Sequence, residues 1–161
     1  MSFDANVFNV MIASPSDVPE ERQVVRDVLY AWNAIHADER KQVLLPVGWE
    51  THSAPDMGGP PQSIINKQVL ENCDLLVGIF WTRIGTATAE YASGAVEEIE
   101  RHIAAGKPTM LYFSEASIKP NLLDQNQYKQ LQDFKEYCRP KGLYEGFNDT
   151  NRVSIDWKSR F

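Results

Sequence analysis

Short apolar runs and amphipathic helical segments alternate along this chain, and no other feature of the sequence restricts its fold as much. Runs rich in apolar and β-branched residues predict strands at 6–13, 43–47, 75–80 and 109–113. Between them, apolar residues at helical spacing predict helices at 18–36, 61–72, 95–105 and 124–138. Strict alternation implies right-handed crossovers, and therefore an α/β fold whose mostly parallel sheet carries helices on both faces.

Individual residues refine these elements. Pro46 lies within the second strand and indicates either an edge position or an early end of the strand, because proline cannot donate a hydrogen bond to a neighbouring strand. In the tail, 143–147 is a candidate fifth strand, and 153–157 is either a further strand or a segment that covers the core. The residues predicted to face the sheet are Val18, Val25, Leu29, Trp32 and Ile35 in the first helix and Tyr128, Leu131, Phe134 and Cys138 in the last.

The stretch from 70 to 102 is the strongest candidate for a functional site. Its strand, Leu75–Phe80, is continuously apolar, as expected for a strand that is buried on both faces of a parallel sheet. A polar loop follows, and then a helix that carries Glu97, Glu98 and Glu100. In open α/β sheets ligands bind beyond the carboxyl ends of the strands. The loop and the first turn of its helix are therefore predicted to border a pocket.

The carboxylates Glu97 and Glu98 occupy opposite flanks of the outer face on a helical wheel, while the sheet-facing stripe is Val96, Ile99 and Ile103. Glu97 precedes Arg101 by four residues, which is typical of an exposed ion pair. Glu98 shares its flank with Ala95, His102 and Ala105, and the small alanines leave room for a ligand. The alternative for both carboxylates is a solvated helix face, with acids placed favourably near the helix N-terminus.

Two further stretches lie at strand ends. The turn after the first strand contains Ser14, Pro15, Ser16 and Asp17, whose backbone N–H groups and hydroxyls can bind a phosphate or a ribose. Simple helix capping explains Ser16 and Asp17 equally well. Trp49 and Glu50 follow the second strand and belong to the same predicted pocket.

The composition narrows the class of protein. With 161 residues, of which 43% are apolar, the chain suits one domain with a single core. Its net charge of −6, without a basic run, argues against nucleic acid as a partner. Cys73 and Cys138 lack metal-ligand neighbours, so reduced interior thiols are expected, with no disulfide and no metal site. No signal-peptide pattern and no apolar stretch of ~20 residues is present, so a soluble cytoplasmic protein without membrane contact is expected.

Several short strings occur in an order that is more specific than any one of them. They are ASPSDV followed by ER, AWN, LPVGWE, PQSIINKQ, CDLLVGIFWTRIG, SGAVEEIE and GKPTMLYFS. Together they span almost the whole chain, which resembles a bacterial domain family of unknown function related to Toll/interleukin-1-receptor (TIR) domains and to nucleoside 2-deoxyribosyltransferases. The resemblance implies a three-layer, flavodoxin-like or TIR-like fold with strand order 2-1-3-4-5. It also implies that 1–161 is one domain at the N-terminus of a longer protein.

The resemblance separates Glu98 from its neighbour. Deoxyribosyltransferases look like Gly-Thr-x-x-Glu-Ile/Leu around their nucleophile, and catalytic TIR domains look like Ser-x-x-x-x-Glu-Leu. Gly94 matches the glycine, Ser93 matches the serine, and Glu98 with Ile99 matches the final pair. The resemblance therefore implies that Glu98 is the catalytic carboxylate. Ala95 departs from the pattern, because it stands where a threonine hydroxyl is usual.

The activity implied by the resemblance is hydrolysis of the N-glycosidic bond of NAD, with release of nicotinamide, in bacterial signalling or antiphage defence. NAD is then a substrate rather than a tightly bound cofactor, and a carboxylate acts without a metal. Trp81 is expected to stack on a base, or else to be a core-edge aromatic residue, and Arg83 is expected to hold phosphates. The remaining residues of the expected substrate site are Ser14, Pro15, Ser16, Asp17, Trp49, Glu50, Ser93, Gly94 and Glu97.

Two other functions remain open from the sequence. One is a catalytically inactive, TIR-like module for assembly or partner binding, which the missing hydroxyl at Ala95 would allow. The other is a nucleotide-signal sensor that uses the same pocket. Self-association into a homo-oligomer, through this domain or an attached one, is expected for the enzyme.

Overall fold

A computed structural model describes residues 1–48, 57, 59, 61–142 and 144–147 of the chain. The strands are β1 (Asn6–Ala13), β2 (Gln42–Val47), β3 (Leu75–Phe80), β4 (Thr109–Ser114) and β5 (Glu145–Phe147). The helices are α1 (Pro19–Arg40), α2 (Pro61–Gln68), α3 (Gly94–Ala104) and α4 (Gln125–Cys138). Short 3-10 turns occupy Leu70–Asn72, Pro120–Leu122 and Arg139–Lys141.

The five strands form one sheet in the order β2-β1-β3-β4-β5, and every neighbouring pair is parallel. This confirms the predicted α/β class and the order 2-1-3-4-5, which is that of a flavodoxin-like fold. The chain passes from β1 to one side and then returns to place β3 on the other side, so the strand order reverses between β1 and β3. Ligands in open sheets bind at such a reversal, beyond the carboxyl ends of the strands.

Alternating side chains of the strands build a core on each face of the sheet. Val10, Ile12, Val77 and Ile79 pack on one face with a stripe of α1 that contains Val25, Val28 and Leu29. Met11, Leu76, Phe80 and Phe113 pack on the other face with residues of α3 and α4, namely Val96, Ile99, Leu131 and Phe134. β3 contributes to both cores, as its continuous apolar run predicts.

Gly78, in the middle of β3, sets the distance between the sheet and α3. A Cβ atom at this position would lie 2.7 Å from a methyl group of Leu111 and 3.0 Å from one of Ile99. Because real Cβ atoms do not approach other carbons so closely, glycine allows Ile99 of α3 to lie directly on the strand. The helix that carries Glu97 and Glu98 is therefore held tightly against the sheet.

Some predicted details are wrong. α1 continues to Arg40 instead of ending at 36, because the ADER segment contains helix-compatible residues and Ala37 is buried. α2 is shorter than predicted and passes into a 3-10 turn. Three residues that were expected to face the sheet are exposed, and they are Ile35, Ile103 and Tyr128. The tail segment 153–157 lies outside the described residues.

The edge position of β2 and the burial of the two cysteines are as predicted. β2 is an edge strand, and Pro46 lies within it opposite Val10 of β1. Cys73 and Cys138 are free and buried. Among the described helices, none is long and apolar enough to cross a membrane.

Candidate functional site

A cleft of about 600 Å³ lies at the carboxyl edge of the sheet, between the loops that follow β1 and β3. The loop after β1 contributes Ser14, Pro15 and Ser16, and the loop after β3 contributes the run from Arg83 to Ala89. The first turns of α3 add Gly94, Ala95 and Glu98. Further lining residues are Ile12, Arg22, Gln62 and Ile65. The cleft therefore lies where the strand order reverses.

The loop after β1 is held by hydrogen bonds to two of its side chains, those of Ser14 and Asp17. Ser14 Oγ accepts a hydrogen bond of 3.1 Å from Nη1 of Arg22, which lies in the first turn of α1. Oδ2 of Asp17 accepts from the backbone N–H and the hydroxyl of Thr82, at 3.1 and 3.0 Å. Asp17 thus ties the loop after β1 to the loop after β3, and it is not among the lining residues. The helix-capping alternative is wrong, since Val18 is the N-cap of α1 and no side chain caps it.

The loop after β3 is fixed by Gln127 of α4. The amide oxygen of Gln127 accepts from the N–H groups of Ile84 and Gly85, at 3.1 and 3.0 Å, and its amide nitrogen donates to the carbonyl of Gly85 at 3.1 Å. Gly85 has a backbone φ of +106°, which residues other than glycine rarely adopt. One glutamine side chain therefore satisfies three backbone groups and sets the course of this wall of the cleft.

Ser93 and Gly94 form the beginning of α3. Ser93 is the N-cap, its Oγ accepts from the N–H of Val96 at 3.2 Å, and it is fully buried. Ser93 therefore stabilises the helix and does not line the cleft. Gly94 lines the cleft, and a Cβ atom there would overlap the amide oxygen of Gln62. The missing side chain lets Gln62 lie across the start of the helix.

Glu98 and Glu97 are both buried, at 6% and 5% exposure, so the predicted outer-face positions are wrong. Glu98 lines the cleft, and its Oε1 accepts a hydrogen bond of 3.2 Å from Nε2 of Gln62. Glu97 does not line the cleft. Its carboxylate accepts from the hydroxyl of Thr88 at 3.1 Å and from the amide of Asn66, and it lies 3.4 Å from Nε of Arg101.

The ion pair between Glu97 and Arg101 exists, but it is not the exposed pair that the helical wheel predicted. Arg101 is 47% exposed, whereas the carboxylate of Glu97 faces Asn66 of α2 and Thr88 of the β3 loop. Since α2 and this loop cover the flank of α3, both acids are removed from water. A wheel drawn from one helix cannot include such a cover.

Trp81 does not converge with the cleft residues as expected. Its indole N–H donates to the carbonyl of Ala116 at 2.9 Å, and the ring packs against the core on the α1 face. The structure therefore favours the core-edge alternative for Trp81. Arg83 is exposed and lines the cleft. Trp49 and Glu50 lie outside the described residues.

The cysteines do not supply a nucleophile to this site. Burial raises the pKa of Cys73 to about 12 and the pKa of Cys138 to about 11. Both therefore stay protonated at neutral pH, and a thiol is a poor nucleophile. Among the described residues, no three His, Cys, Asp or Glu side chains come close enough together to hold a metal ion.

Four side chains that organise the cleft were not predicted from the sequence as site residues. They are Arg22, Gln62, Thr88 and Gln127. Arg22 belongs to the ER that follows ASPSDV, and Gln62 belongs to PQSIINKQ, so two of the four lie in the quoted strings. Gln62, Thr88 and Gln127 act through contacts with residues between 9 and 43 positions away, and no local pattern marks such a partner.

Residues 9–160 match the family described as "Domain of unknown function (DUF4062)". No curated protein matches the sequence.

Proposed function

The chain belongs to the DUF4062 family, and from the residues of its cleft we propose that it binds a nucleotide and hydrolyses the N-glycosidic bond of NAD with Glu98. A TIR-like relationship and a role in bacterial signalling or antiphage defence form part of the same proposal. Both rest on the sequence register of Ser93, Gly94 and Glu98.

The observation that supports this proposal is the position of Glu98 in the cleft, together with its burial and its hydrogen bond to Gln62. It is the one carboxylate among the described residues that line the cleft, it is 6% exposed, and Gln62 holds one of its oxygens. A carboxylate that is oriented and shielded from water interacts more strongly with a developing positive charge than one in bulk solvent. Glu98 is therefore suited to stabilise a cationic transition state.

The reaction requires only one such group. When the bond between C1′ of the ribose and nicotinamide breaks, the electron pair moves to the nicotinamide nitrogen and cancels its positive charge, so the leaving group needs no proton. The ribose becomes an oxocarbenium-like cation, which a carboxylate stabilises electrostatically or traps covalently. Water then adds to C1′ and releases its proton, which gives ADP-ribose. A cleft with a single described carboxylate fits this chemistry.

The size and the walls of the cleft also suit a nucleotide. Its volume of about 600 Å³ lies within the range of ~300–1,000 Å³ that is common for small-molecule sites. Ala87, Ala89 and Ala95 offer small side chains where a ring or a ribose can lie close to the backbone. Arg22 and Arg83 add positive charge to the same cleft.

The test is nicotinamide release from NAD by the purified chain at high protein concentration, followed by chromatography. The wild type is expected to release nicotinamide and ADP-ribose in equal amounts, and Glu98→Gln is expected to lose most of the activity. Glu100→Gln is a matched control, because Glu100 lies on the same helix but does not line this cleft. A folded, concentrated wild type that releases no nicotinamide would refute the hydrolase.

The second candidate is a module that binds nucleotides or partners without turnover. It is favoured by Ala95, which lines the cleft with a methyl group where the related enzymes carry a hydroxyl. Titration calorimetry with NAD distinguishes the two non-catalytic forms. A sensor binds the nucleotide and leaves it intact. An assembly module does not bind the nucleotide, and its average molecular mass in solution rises with protein concentration as it self-associates.

A further inference from the structure

The described residues that line the cleft differ in charge from the chain as a whole. The chain has 22 acidic and 16 basic residues. Among the described residues that line the cleft, however, the charged side chains are Arg22, Arg83 and Glu98. Two guanidinium groups and one carboxylate leave the described part of the cleft with a net positive charge. An acidic chain that concentrates arginines in its main cleft is suited to bind an anion there.

Arg22 is held in place at this cleft. Its side chain is half-buried, and Nη1 donates to Oγ of Ser14 at 3.1 Å. An arginine that is already ordered loses less conformational entropy when it binds a ligand than one that moves freely in solvent. A guanidinium donates through several N–H groups at once, and its planar geometry matches that of phosphate oxygens.

The same hydrogen bond orients Ser14. Because Arg22 can only donate, the hydroxyl of Ser14 is the acceptor in this contact. Its own proton therefore points away from Arg22 and can be donated to a ligand oxygen in the cleft that Ser14 lines. The guanidinium of Arg22 and the hydroxyl of Ser14 thus lie side by side at the cleft.

We propose that Arg22 and Ser14, assisted by Arg83, form a phosphate subsite that makes the cleft selective for 5′-phosphorylated ribosides over unphosphorylated ones. This inference rests on the proposed function for the riboside part of the ligand. Glu98 repels an anion and attracts a cation, so the phosphates bind at the arginines and the cationic nicotinamide ribosyl group lies at Glu98. A ligand with a negative and a positive end therefore has one preferred orientation in the cleft.

A structural role is the alternative for Arg22. In that case it braces the loop after β1 through Ser14, and its loss affects all ligands alike. The two roles differ in one measurable way, because a brace does not distinguish a phosphorylated ligand from its unphosphorylated form. The comparison of ADP with adenosine isolates this difference, and neither compound contains the nicotinamide–ribose bond that the enzyme is proposed to cleave.

The experiment is titration calorimetry of the full chain with ADP and with adenosine. Wild type is expected to bind ADP at least 10-fold more tightly than adenosine. Arg22→Gln is expected to weaken ADP binding by about 10- to 100-fold, the range for a lost hydrogen bond to a charged group, and adenosine binding by less than 2-fold. Arg22→Lys is expected to restore part of the loss, and high salt to weaken only ADP binding.

Arg40→Gln is the matched control. The substitution removes the same charge as Arg22→Gln. Arg40 lies on the same helix, 18 positions from Arg22, or about 27 Å along the helix axis. It is expected to bind ADP as the wild type does. Arg83→Gln is a second variant, at an exposed position where folding is not at risk, and a loss of about 3- to 10-fold for ADP alone is expected.

Three results would overturn the subsite. The first is equal affinity of the wild type for ADP and adenosine, including no detectable binding of either. The second is an equal loss of affinity for ADP and adenosine in Arg22→Gln, together with no loss of affinity in Arg83→Gln. The third is a loss of ADP affinity in Arg40→Gln as large as that in Arg22→Gln. Nicotinamide release separates this inference from the proposed function. Selective ADP binding without NAD hydrolysis leaves the subsite and refutes the hydrolase. Equal kcat/KM for NAD and nicotinamide riboside would refute the phosphate subsite and leave the hydrolase in place.

Discussion

Replacing Glu97 by glutamine is expected to destabilise the fold, although the sequence places this residue on an outer helix face. Its buried carboxylate accepts hydrogen bonds from Thr88 and Asn66, which hold the β3 loop and α2 to α3. Glutamine keeps one oxygen but turns an N–H₂ group towards one of these donors. Hydrogen bonds to a charged group contribute about 1.5–3 kcal/mol, and the half-exposed Arg101 pair adds little.

The expected loss is therefore about 1–3 kcal/mol in the free energy of unfolding, which is roughly 2–12 °C in Tm for a chain of this size. Urea and thermal unfolding followed by circular dichroism measure it. A double-mutant cycle with Thr88→Val, which removes the hydroxyl and keeps the shape, is expected to give a coupling of about 0.5–1.5 kcal/mol. A Glu97→Gln variant within about 0.5 kcal/mol of the wild type would refute the view that this network joins the three elements.

The remaining predictions concern activity, pH and thiol chemistry. Glu98→Gln is expected to raise the barrier for nicotinamide release by about 3–5 kcal/mol, whereas Glu97→Gln is expected to lower the activity far less. The rate of nicotinamide release, measured for each variant below its own Tm, tests this difference. Burial, followed by the charge of Lys107, lowers the pKa of His102 below 6.5. As pH falls through 6.5, the unfolded chain takes up a proton that the folded chain does not, so stability drops, and His102→Gln should reduce this drop in urea titrations at pH 5–7. Cys73 and Cys138 are expected to react with a thiol reagent at pH 8 only after denaturation.

Each of these expectations has a contrary result. Activity that survives Glu98→Gln but disappears in a folded Glu97→Gln would reverse the roles of the two acids. Identical pH profiles of stability for the wild type and His102→Gln would show that this histidine is not linked to folding. Rapid labelling of a thiol in the native protein would show that the structure around it opens easily, since both cysteines are buried.

Much of the fold follows from local patterns. The apolar run of β3, the helical spacing in α1 and the strict alternation of elements led to a parallel sheet, and the family resemblance added the order 2-1-3-4-5 that the structure shows. These features are readable because side-chain direction repeats with a fixed period within one strand or helix. The exposed positions of Ile35 and Tyr128 show the limit of such patterns. Periodicity indicates a stripe but not how far a neighbour covers it.

For the candidate site too, some features could be predicted from the sequence and others depend on how the elements pack. The sequence by itself located the loops after β1 and β3 and the start of α3, because chain order determines which segments follow the carboxyl ends of parallel strands. The family resemblance, through the register of Ser93 and Gly94, added Glu98 as the expected catalytic residue. These are local relations, and their meaning does not depend on what packs around them.

Only the tertiary structure decided what each side chain contacts. It placed Gln62 on Glu98, enclosed Glu97 between Asn66 and Thr88, and turned Trp81 away from the cleft. The partners in these pairs are between 9 and 36 residues apart in the chain. The environment of a side chain is the sum of such distant neighbours, and burial and hydrogen bonding, which determine its chemistry, come into being only when the elements pack together.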